Sequence, residues 1–299
     1  MTALLCVGHS ALDTIYRVAD IPTTPTKVLA SACVESGGGM AANASVAARR
    51  LGAKVWYCGR LGDDEAGTRI LAQLAAEGVD VTMVRRIRRC QSPTATILID
   101  RRGERLIVIY NDPALDPDPA WIPVVSIGRF TAVLADVRWP EGAARAFDAA
   151  HVAGIPSVFD GDVGPVDALR DLCRRCDYAI FSAAGLALAS GTGDVGAGLR
   201  RTQRLARRTV GVTLGADGLL WLEGGREQRA LAPAVDVVDT LAAGDVFHGA
   251  FALAIAEGNT IAAAARFANA AAALKCTRFG GRRGAPTRAE VDAVLGPRA

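Results

Sequence analysis

The heptapeptide Asp239-Thr-Leu-Ala-Ala-Gly-Asp245 separates a short apolar segment, Val235 to Val238, from a helical pattern that runs from Val246 to Ala256. Small residues therefore occupy the first turn of the predicted helix. Such a turn lets backbone N–H groups approach an anion closely, and the positive end of the helix dipole points at the same place. The sequence predicts an anion-binding turn at Ala242, Ala243 and Gly244.

Asp245 is the candidate base of this turn. An isolated aspartate there can reflect no more than the preference of helix starts for acidic residues. Here a second carboxylate, Asp239, lies six residues upstream with small residues between the two, which favours a site. A carboxylate beside an anion-binding turn suits phosphoryl transfer, because catalysis of that reaction consists largely of positioning and charge stabilisation.

Outward from this turn, short apolar runs alternate with Ala- and Leu-rich helical patterns. This alternation is typical of an α/β fold with a mostly parallel sheet. The predicted strands are Leu4 to Val7, Val55 to Cys58, Ala132 to Ala135, Ser157 to Phe159, Tyr178 to Phe181 and Val210 to Leu214. The predicted helices include Met40 to Leu51, Ala66 to Ala76, Glu141 to Val152 and Val195 to Ala206.

Two stretches alternate with a period of two residues and have no helix inside them: Thr14 to Val34 and Thr94 to Tyr110. Both are predicted to be antiparallel ribbons, the second with a turn at Arg101 to Glu104. We expect them to form a small sheet beside the main one. Such a sheet can cover a cleft as a lid or supply an edge for dimerisation.

Composition limits the class of protein. The 299 residues are 51% hydrophobic, and 34 basic against 31 acidic residues give a net charge of only +3. Neither a nucleic-acid partner nor a membrane is expected from this balance. Seven scattered cysteines and the lack of a signal-peptide pattern predict a reducing, cytoplasmic location.

A second glycine-rich turn, Gly37 to Gly39, precedes the helix that begins at Met40 and carries Asn43 in its first turn. Three glycines permit close backbone approach to a ligand, and an asparagine side chain can both donate to and accept from hydroxyl groups. The glycine spacing differs from that of dinucleotide-binding folds, which counts against a dehydrogenase.

Taken together, Gly38 to Asn43, Gly59-Arg-Leu-Gly-Asp-Asp64 with Gly67, and Asp239 to Asp245 resemble the ribokinase-like (PfkB) carbohydrate kinases, and the match covers nearly the whole chain. The resemblance implies one kinase domain over residues 1–299, with a lid at about 14–35 and 92–112. It implies ATP and Mg²⁺ as cofactors and a small-molecule sugar as substrate. A homodimer formed through the lid is expected.

The resemblance also assigns roles to individual residues. Asp245 is implied to be the catalytic base, with the amides of Ala242 to Asp245 as the anion hole. The implied substrate-binding residues are Asp13, Gly38, Gly39 and Asn43, and the implied nucleotide-binding residues are Thr213, Gly215, Gly218 and Asn269.

Two positions depart from the family pattern. The usual Gly-Ala-Gly-Asp reads Ala242-Ala-Gly-Asp245, so one additional methyl group must be accommodated in the turn. The usual Asn-x-x-Glu, which is linked to magnesium and phosphate, reads Ser182-Ala-Ala-Gly185 and lacks its acidic residue. The metal ligands are therefore unknown from the sequence.

Further segments, among them Val133 to Trp139 and Asp245 to Ala250, are similar to bacterial family members that phosphorylate 6-deoxy-6-sulfofructose. The sequence-level hypothesis is phosphorylation of carbon-1 of this anionic ketohexose derivative, with Lys27, Asn111 and Arg138 binding the sulfonate. In the alternative interpretation, Lys27 is an exposed residue on a sheet edge, and Arg138 pairs with Asp136 or Glu141.

Other groups and functions stay open at this stage. His9 and His248 are interpreted as structural, and Asp160 and Asp162 either lie near the nucleotide or metal or form a turn. Alternative functions are a kinase for fructose, another ketohexose, a sugar acid or a nucleoside, a sugar- or nucleotide-binding regulator without turnover, and a dehydrogenase.

Overall fold

The computed structural model describes residues 2–296 and contains one large sheet with helices on both faces. Nine strands lie in the order β13-β12-β11-β10-β9-β8-β1-β4-β5. Seven of them, β11 to β5 in that order, are mutually parallel, and β12 and β13 add an antiparallel hairpin at one edge. The strands are β1 (Ala3–Gly8), β4 (Lys54–Gly62), β5 (Asp80–Ile87), β8 (Ala132–Asp136), β9 (Ser157–Gly161), β10 (Tyr178–Ser182), β11 (Thr209–Thr213), β12 (Leu219–Glu223) and β13 (Arg226–Ala230).

Each face of the sheet carries its own hydrophobic core. One core is formed with helices α1 (Met40–Arg50), α2 (Glu65–Ala76), α7 (Ala243–Ala256), α8 (Ile261–Cys276) and α9 (Arg288–Leu295). The opposite core is formed with α3 (Pro140–Ala153), α4 (Val166–Arg175), α5 (Ala183–Ser190) and α6 (Val195–Gln203). The central strands β1, β8 and β9 are buried on both faces, which explains why they appear as continuous apolar runs.

A second, four-stranded sheet has the order β3-β2-β6-β7. Its strands are β2 (Ala11–Arg17), β3 (Ala32–Gly38), β6 (Thr94–Ile99) and β7 (Arg105–Tyr110). β2 pairs with β3 and β6 with β7 as antiparallel ribbons, and β2 and β6 join the two ribbons in parallel. The prediction that the two alternating stretches together form a small sheet is confirmed.

The first predicted ribbon, Thr14 to Val34, is wrong over its middle part. No strand covers residues 18–31, because the chain leaves the sheet after Arg17 and returns at Ala32. All six predicted strands and the five quoted helices are present, although α6 ends at Gln203 rather than at Ala206. β12 and β13 were not predicted.

Candidate active site

The candidate site lies where the carboxyl ends of the central strands meet the amino termini of α1 and α7. β1 leads to His9, β8 ends at Asp136, and β9 is followed by Asp162. Ligands of open α/β sheets bind at this edge, where loops leave the strands and helix amino termini converge.

Each glycine of the Gly37 to Gly39 turn is explained by a different neighbour. A Cβ at position 37 would lie 1.7 Å from Nη2 of Arg282, and one at position 38 would lie 2.0 Å from Oδ2 of Asp13. Gly39 has a φ of +90°, and a Cβ there would lie 2.4 Å from the Cα of Ser10. The turn therefore has room for a buried guanidinium and a buried carboxylate only because it carries no side chains.

Asn43 and Asp245 are in direct contact although they are 202 positions apart in sequence. The side-chain amide of Asn43 donates to Oδ2 of Asp245 over 2.7 Å. The helices that carry them, α1 and α7, pack tightly, and Gly249 allows this approach because a Cβ there would lie 2.3 Å from the carbonyl oxygen of Ala44. The structure thus brings the two predicted segments into contact.

The pKa of Asp245 is raised to about 7, mainly by burial and also by the carboxylates of Asp162, Asp136 and Asp13, while the hydrogen bond from Asn43 opposes the shift. Burial also raises the pKa of Asp13 to about 7, against the positive charge of Arg282. A carboxylate with a pKa near neutrality suits general-base catalysis at physiological pH.

The turn before Asp245 presents free backbone donors. Within residues 2–296, the amides of Gly244 and Asp245 have no intramolecular acceptor. The amide of Ala243, which we expected in the anion hole, donates to the carbonyl oxygen of Thr240 over 3.2 Å. Ala242 has a φ of +64°, a left-handed conformation that is rare for residues other than glycine.

Asp239, the first residue of the heptapeptide, is fully buried and fixes this loop. Its Oδ1 accepts from the amide of Leu241 at 2.7 Å. Its Oδ2 accepts from the amides of Gly280 and Gly281 at 2.9 and 3.1 Å. A carboxylate that accepts this many hydrogen bonds holds the backbone on both sides of it, so Asp239 is a positioning residue of the turn.

Several buried polar atoms around the turns lack a protein partner. Among the described residues, seven buried side-chain atoms are unpaired, and five of them belong to residues of this region: His9 Nε2, Ser10 Oγ, Asn43 Oδ1, Asp160 Oδ2 and Arg282 Nη1. Unpaired buried polar atoms are costly unless a ligand or water satisfies them. Their concentration here is typical of a site for a polar ligand such as a sugar.

Asp136 was missed as a site residue by the sequence reasoning. Its Oδ2 accepts from the amides of His9 and Ala41 at 2.8 and 2.9 Å, and its Oδ1 accepts from the amide of Arg138 at 2.8 Å. One carboxylate therefore ties together β1, α1 and the end of β8. Its position at the carboxyl end of a buried strand was the available signal.

His9 was interpreted as structural, but its ring has ligand-binding capacity. Burial lowers the pKa of His9 to about 4, helped by the charges of Arg138 and Arg60, so the ring is neutral near pH 7. Its Nε2 is one of the unpaired atoms. A neutral imidazole can donate to or accept from a sugar hydroxyl.

The predicted nucleotide-binding residues surround the loop between β11 and β12. Gly215 and Gly218 both have positive φ angles, 58° and 73°. A Cβ on Gly218 would lie 2.8 Å from the side-chain nitrogen of Asn269, which donates to the carbonyl oxygen of Ala230. Thr213 donates its hydroxyl to the carbonyl oxygen of Phe181. The structure thus brings Gly218 and Asn269 together.

The three residues predicted to bind a sulfonate differ in their surroundings. Arg138 lies beside the site, with Nη2 3.9 Å from Oδ2 of Asp162 rather than paired through its side chain with Asp136 or Glu141. Lys27 is exposed in the strandless part of the lid, and Asn111 is exposed directly after β7. Contact among the three is not observed in the described part of the chain.

The position of the missing family glutamate has no space for a side chain. A Cβ on Gly185 would lie 2.0 Å from the carbonyl oxygen of Gly161. The acidic group at this point is instead Asp162, which accepts from the Ser182 hydroxyl at 2.7 Å. Across residues 2–296, no group of three or more His, Cys, Asp or Glu side chains is arranged to hold a metal ion. This donor set suits Mg²⁺ held mainly by nucleotide phosphates and water.

An open cleft of about 770 Å³ lies at the opposite, amino-terminal edge of the sheet, lined among others by His151, Asp177, Arg207 and Asn259. Neither glycine turn contributes to it. Among the described residues there is also no helix long and apolar enough to cross a membrane.

Comparison with known proteins identifies the family. The family described as pfkB family carbohydrate kinase matches residues 1–288. A ribokinase of Bacillus subtilis is 32% identical over 99% of this chain and 100% of its own length. An ATP-dependent ribose-1-phosphate kinase of Halopiger xanaduensis is 30% identical over 100% of this chain and 99% of its own length.

Solved structures support the same assignment. A protein from Agrobacterium tumefaciens, described as a candidate ribokinase, has a TM-score of 0.95 and 41% identity over 98% of this chain and 97% of its own. The fold is also that of an Arabidopsis thaliana ribokinase complexed with ribose and ATP, with a TM-score of 0.85 and 24% identity over 99% of both chains. The chain belongs to the pfkB family of carbohydrate kinases and is an ATP-dependent sugar kinase that uses Mg²⁺.

Proposed function

We propose that this kinase transfers the γ-phosphoryl group of ATP to a primary hydroxyl, carbon-1 of a ketohexose derivative, with Asp245 as the general base. The observation that carries the proposal is the Asn43–Asp245 pair, in which a carboxylate with a pKa near 7 lies beside free amides at a helix amino terminus. These groups supply a proton acceptor and an anion-binding site in one place.

The steps follow from the chemistry of each group. The sugar hydroxyl gives its proton to the carboxylate of Asp245 as its oxygen attacks the γ-phosphorus, and the bond to the leaving oxygen of ADP breaks. The amides of Gly244 and Asp245 donate to the phosphoryl oxygens, where negative charge develops. Mg²⁺ bound with the nucleotide would neutralise part of the phosphate charge. Asn43, whose Oδ1 is unpaired, is free to accept from a neighbouring hydroxyl of the sugar while its amide holds Asp245.

For the acceptor we propose an anionic ketohexose derivative, 6-deoxy-6-sulfofructose. The support is the sequence similarity given above together with the position of Arg138 beside the site. A sulfonate has three acceptor oxygens and one negative charge, which a guanidinium can bind with two donors. Lys27 and Asn111 are proposed to reach the sulfonate when the lid closes.

Ribose is the second candidate acceptor, because several relatives are named ribokinases. A screen of ADP release over 6-deoxy-6-sulfofructose, fructose 6-phosphate, fructose, ribose and nucleosides decides between them. The proposal predicts the highest kcat/KM for the sulfonated sugar. A preference for fructose or ribose would remove the anionic-substrate proposal and leave the sugar kinase, while the absence of ADP release with every sugar would favour a regulator without turnover.

The small sheet is proposed to close over the bound sugar. A γ-phosphoryl group exposed to water is open to hydrolysis, so closure protects the reaction. The β6–β7 turn already touches the catalytic loop, since Arg105 donates to the Thr240 hydroxyl at 2.8 Å, and that hydroxyl donates to the carbonyl oxygen of Gly103. Hydrogen exchange in residues 14–35 and 92–112 is expected to slow with sugar and nucleotide. Unchanged exchange in both segments at saturation would contradict closure.

A homodimer through the same sheet is also proposed. β7 is an edge strand, and its apolar residues Leu106 to Tyr110 are each 38–62% exposed. Exposed apolar edge strands tend to associate. Light scattering after gel filtration is expected to give a dimer mass that Ile107→Lys with Ile109→Lys converts to a monomer; a wild-type monomer at micromolar concentration would refute it. A cytoplasmic location, in line with seven free cysteines, also stays a proposal.

A further inference from the structure

His248 lies on α7, one turn after Asp245, and is buried. Its Nδ1 is 2.8 Å from the carbonyl oxygen of Gly244, and its Nε2 is 3.1 Å from the carbonyl oxygen of Ile180 on β10. The Oδ2 atom of Asp160 is a third neighbour, 3.3 Å from Nδ1. Both ring nitrogens therefore face oxygen atoms.

The contacts of the two ring nitrogens decide the protonation state of the ring. A carbonyl oxygen can only accept a hydrogen bond, and a neutral imidazole has a single N–H. A neutral ring would direct the lone pair of one nitrogen at a carbonyl oxygen, at the contact with either Gly244 or Ile180. The doubly protonated imidazolium satisfies both contacts, so the geometry favours the charged ring.

Asp160 is the counter-ion that makes a buried imidazolium acceptable. Burial lowers the pKa of His248 and raises that of Asp160, because each charge alone is disfavoured in the interior. An imidazolium and a carboxylate 3.3 Å apart are neutral overall, and this charge contact needs no hydrogen bond to Oδ2 of Asp160, since the N–H at Nδ1 is directed at Gly244. The other charged groups that act on the pair are Asp162, Asp136, Asp245 and Arg138. Of these, the carboxylate of Asp162 raises the pKa of His248 and so favours the protonated ring. The carboxylates of Asp245, Asp162 and Asp136 raise the pKa of Asp160, and Arg138 lowers it.

The peptide bond between Gly244 and Asp245 connects this pair to the reaction. Its carbonyl oxygen accepts from His248, and its N–H is the free amide of Asp245 at the anion hole. A hydrogen bond to one end of a peptide group polarises it and strengthens donation at the other end. A charged donor has a larger effect than a neutral one.

We propose that His248, protonated and paired with Asp160, is a positioning residue that polarises and orients the Gly244–Asp245 peptide so that its N–H stabilises the transferring phosphoryl group. This role rests on the proposed function of Asp245 and its turn. It acts through the backbone, and His248 itself touches neither sugar nor nucleotide.

The protonation state is measurable without turnover. The chain has only three histidines, so ¹⁵N-histidine NMR of the wild-type protein resolves each ring. At pH 7.5, a pH chosen about one unit above the ordinary histidine pKa, both nitrogens of His248 are expected to show N–H signatures. Asp160→Asn is expected to convert the ring to the neutral form. A neutral His248 in the wild-type protein would overturn the proposal.

Variants test the catalytic consequence. His248→Phe keeps a planar ring without donors and is expected to lower kcat about 10- to 100-fold, since loss of a transition-state donor has effects of this order or larger. KM for the sugar is expected to stay within about two-fold, because the contact strengthens only as phosphoryl charge develops. His248→Asn, which can still donate to Gly244, is expected to retain more activity. His151→Phe, at an exposed position on α3, is the control.

The outcomes separate this proposal from the proposed function. A folded His248→Phe enzyme with wild-type kcat would overturn the role of His248 while Asp245 remains the base. If that variant does not fold, the ¹⁵N spectrum of the wild-type protein decides, and a neutral His248 ring in that spectrum would contradict the proposal. A wild-type protein without sugar kinase turnover would refute the proposed function, whereas the NMR result would still decide the charge of the pair.

Discussion

The ammonium group of Lys275 lies 2.6 Å from the carbonyl oxygen of Asp239 and 3.2 Å from its Oδ2, and both side chains have no solvent exposure. Burial lowers the pKa of Lys275, and the charge of Asp239 opposes this shift. The pair connects α8 to the loop that leads to Asp245. A buried charge of this kind keeps its place only with its partner.

Replacing Lys275 with Met is therefore expected to lower the free energy of unfolding by about 3–5 kcal/mol, because Asp239 would remain buried without a counter-charge. Urea unfolding measures this change, and kcat is expected to fall with it as the loop loses its anchor. Lys54→Met, at an exposed site, is the control. Equal stability of the two variants would show that the Lys275 pair contributes nothing to the loop.

At Ala242, by contrast, a substitution is expected to raise the free energy of unfolding. Its φ of +64° is a left-handed conformation that disfavours side chains with a Cβ by about 1–2 kcal/mol. Ala242→Gly is expected to stabilise the protein by about 0.5–1 kcal/mol, since the gain is partly offset by the greater flexibility of glycine in the unfolded chain. Ala243→Gly, within α7, is expected to destabilise it instead. Thermal unfolding of both variants shows whether each substitution stabilises or destabilises the protein. Destabilisation by Ala242→Gly would contradict a strained backbone at this position.

The glycine turn tests the sugar site. In Gly38→Ala the new Cβ would lie 2.0 Å from the Asp13 carboxylate and must displace it. Sugar affinity is expected to fall at least about ten-fold, the effect of losing a hydrogen bond to a charged group, with ATP affinity retained. Calorimetric titration with each ligand measures this. Gly193→Ala, which has open space around the position, is the control. Unchanged sugar binding would remove Asp13 from the site.

Local patterns in the sequence were sufficient to predict the parallel sheet, the second sheet and the turn before Asp245. Buried strands and helix starts have signatures within a few residues: Asp194 caps α6, and Thr287 forms a capping box with Glu290 at the start of α9. The surroundings of His9 and Asp136, and the contact of Arg282 with Gly37, depend on residues more than 90 positions apart. No local pattern encodes such contacts, so the structure was needed to find them.

The acid dependence of the reaction follows from the pKa of Asp245, which lies at about 7. A base must be ionised to accept a proton, so kcat/KM is expected to fall as the pH drops below about 7. Asp162→Asn removes a like charge that raises this pKa, so the acidic limb of the profile is expected to move to lower pH. A limb at the same pH in both enzymes would show that the profile reports another group.

Asp245→Asn keeps the shape of the side chain but cannot accept the proton. It is expected to retain sugar and ATP binding while kcat falls by about 10²–10⁴, the usual contribution of a positioned general base. Rapid-quench measurement of phosphoryl transfer separates this step from product release. Near wild-type turnover by the folded variant would exclude Asp245 as the base.

Arg138 tests the charge of the substrate. If it binds a sulfonate with partial exclusion of water, the interaction contributes about 1.5–3 kcal/mol, and Arg138→Ala is expected to lower kcat/KM for 6-deoxy-6-sulfofructose by about 10- to 150-fold. The same change is expected to leave turnover of fructose unchanged or improved, because a neutral sugar gains nothing from the guanidinium. Arg174→Ala, an exposed arginine on α4, is the control.

Fructose 6-phosphate is the closest competitor, since its dianion can bind the same cation, and both sugars must be assayed together. Equal loss of activity with fructose and with the sulfonated sugar would mean that Arg138 supports the site through Asp162, 3.9 Å away, rather than by binding substrate charge.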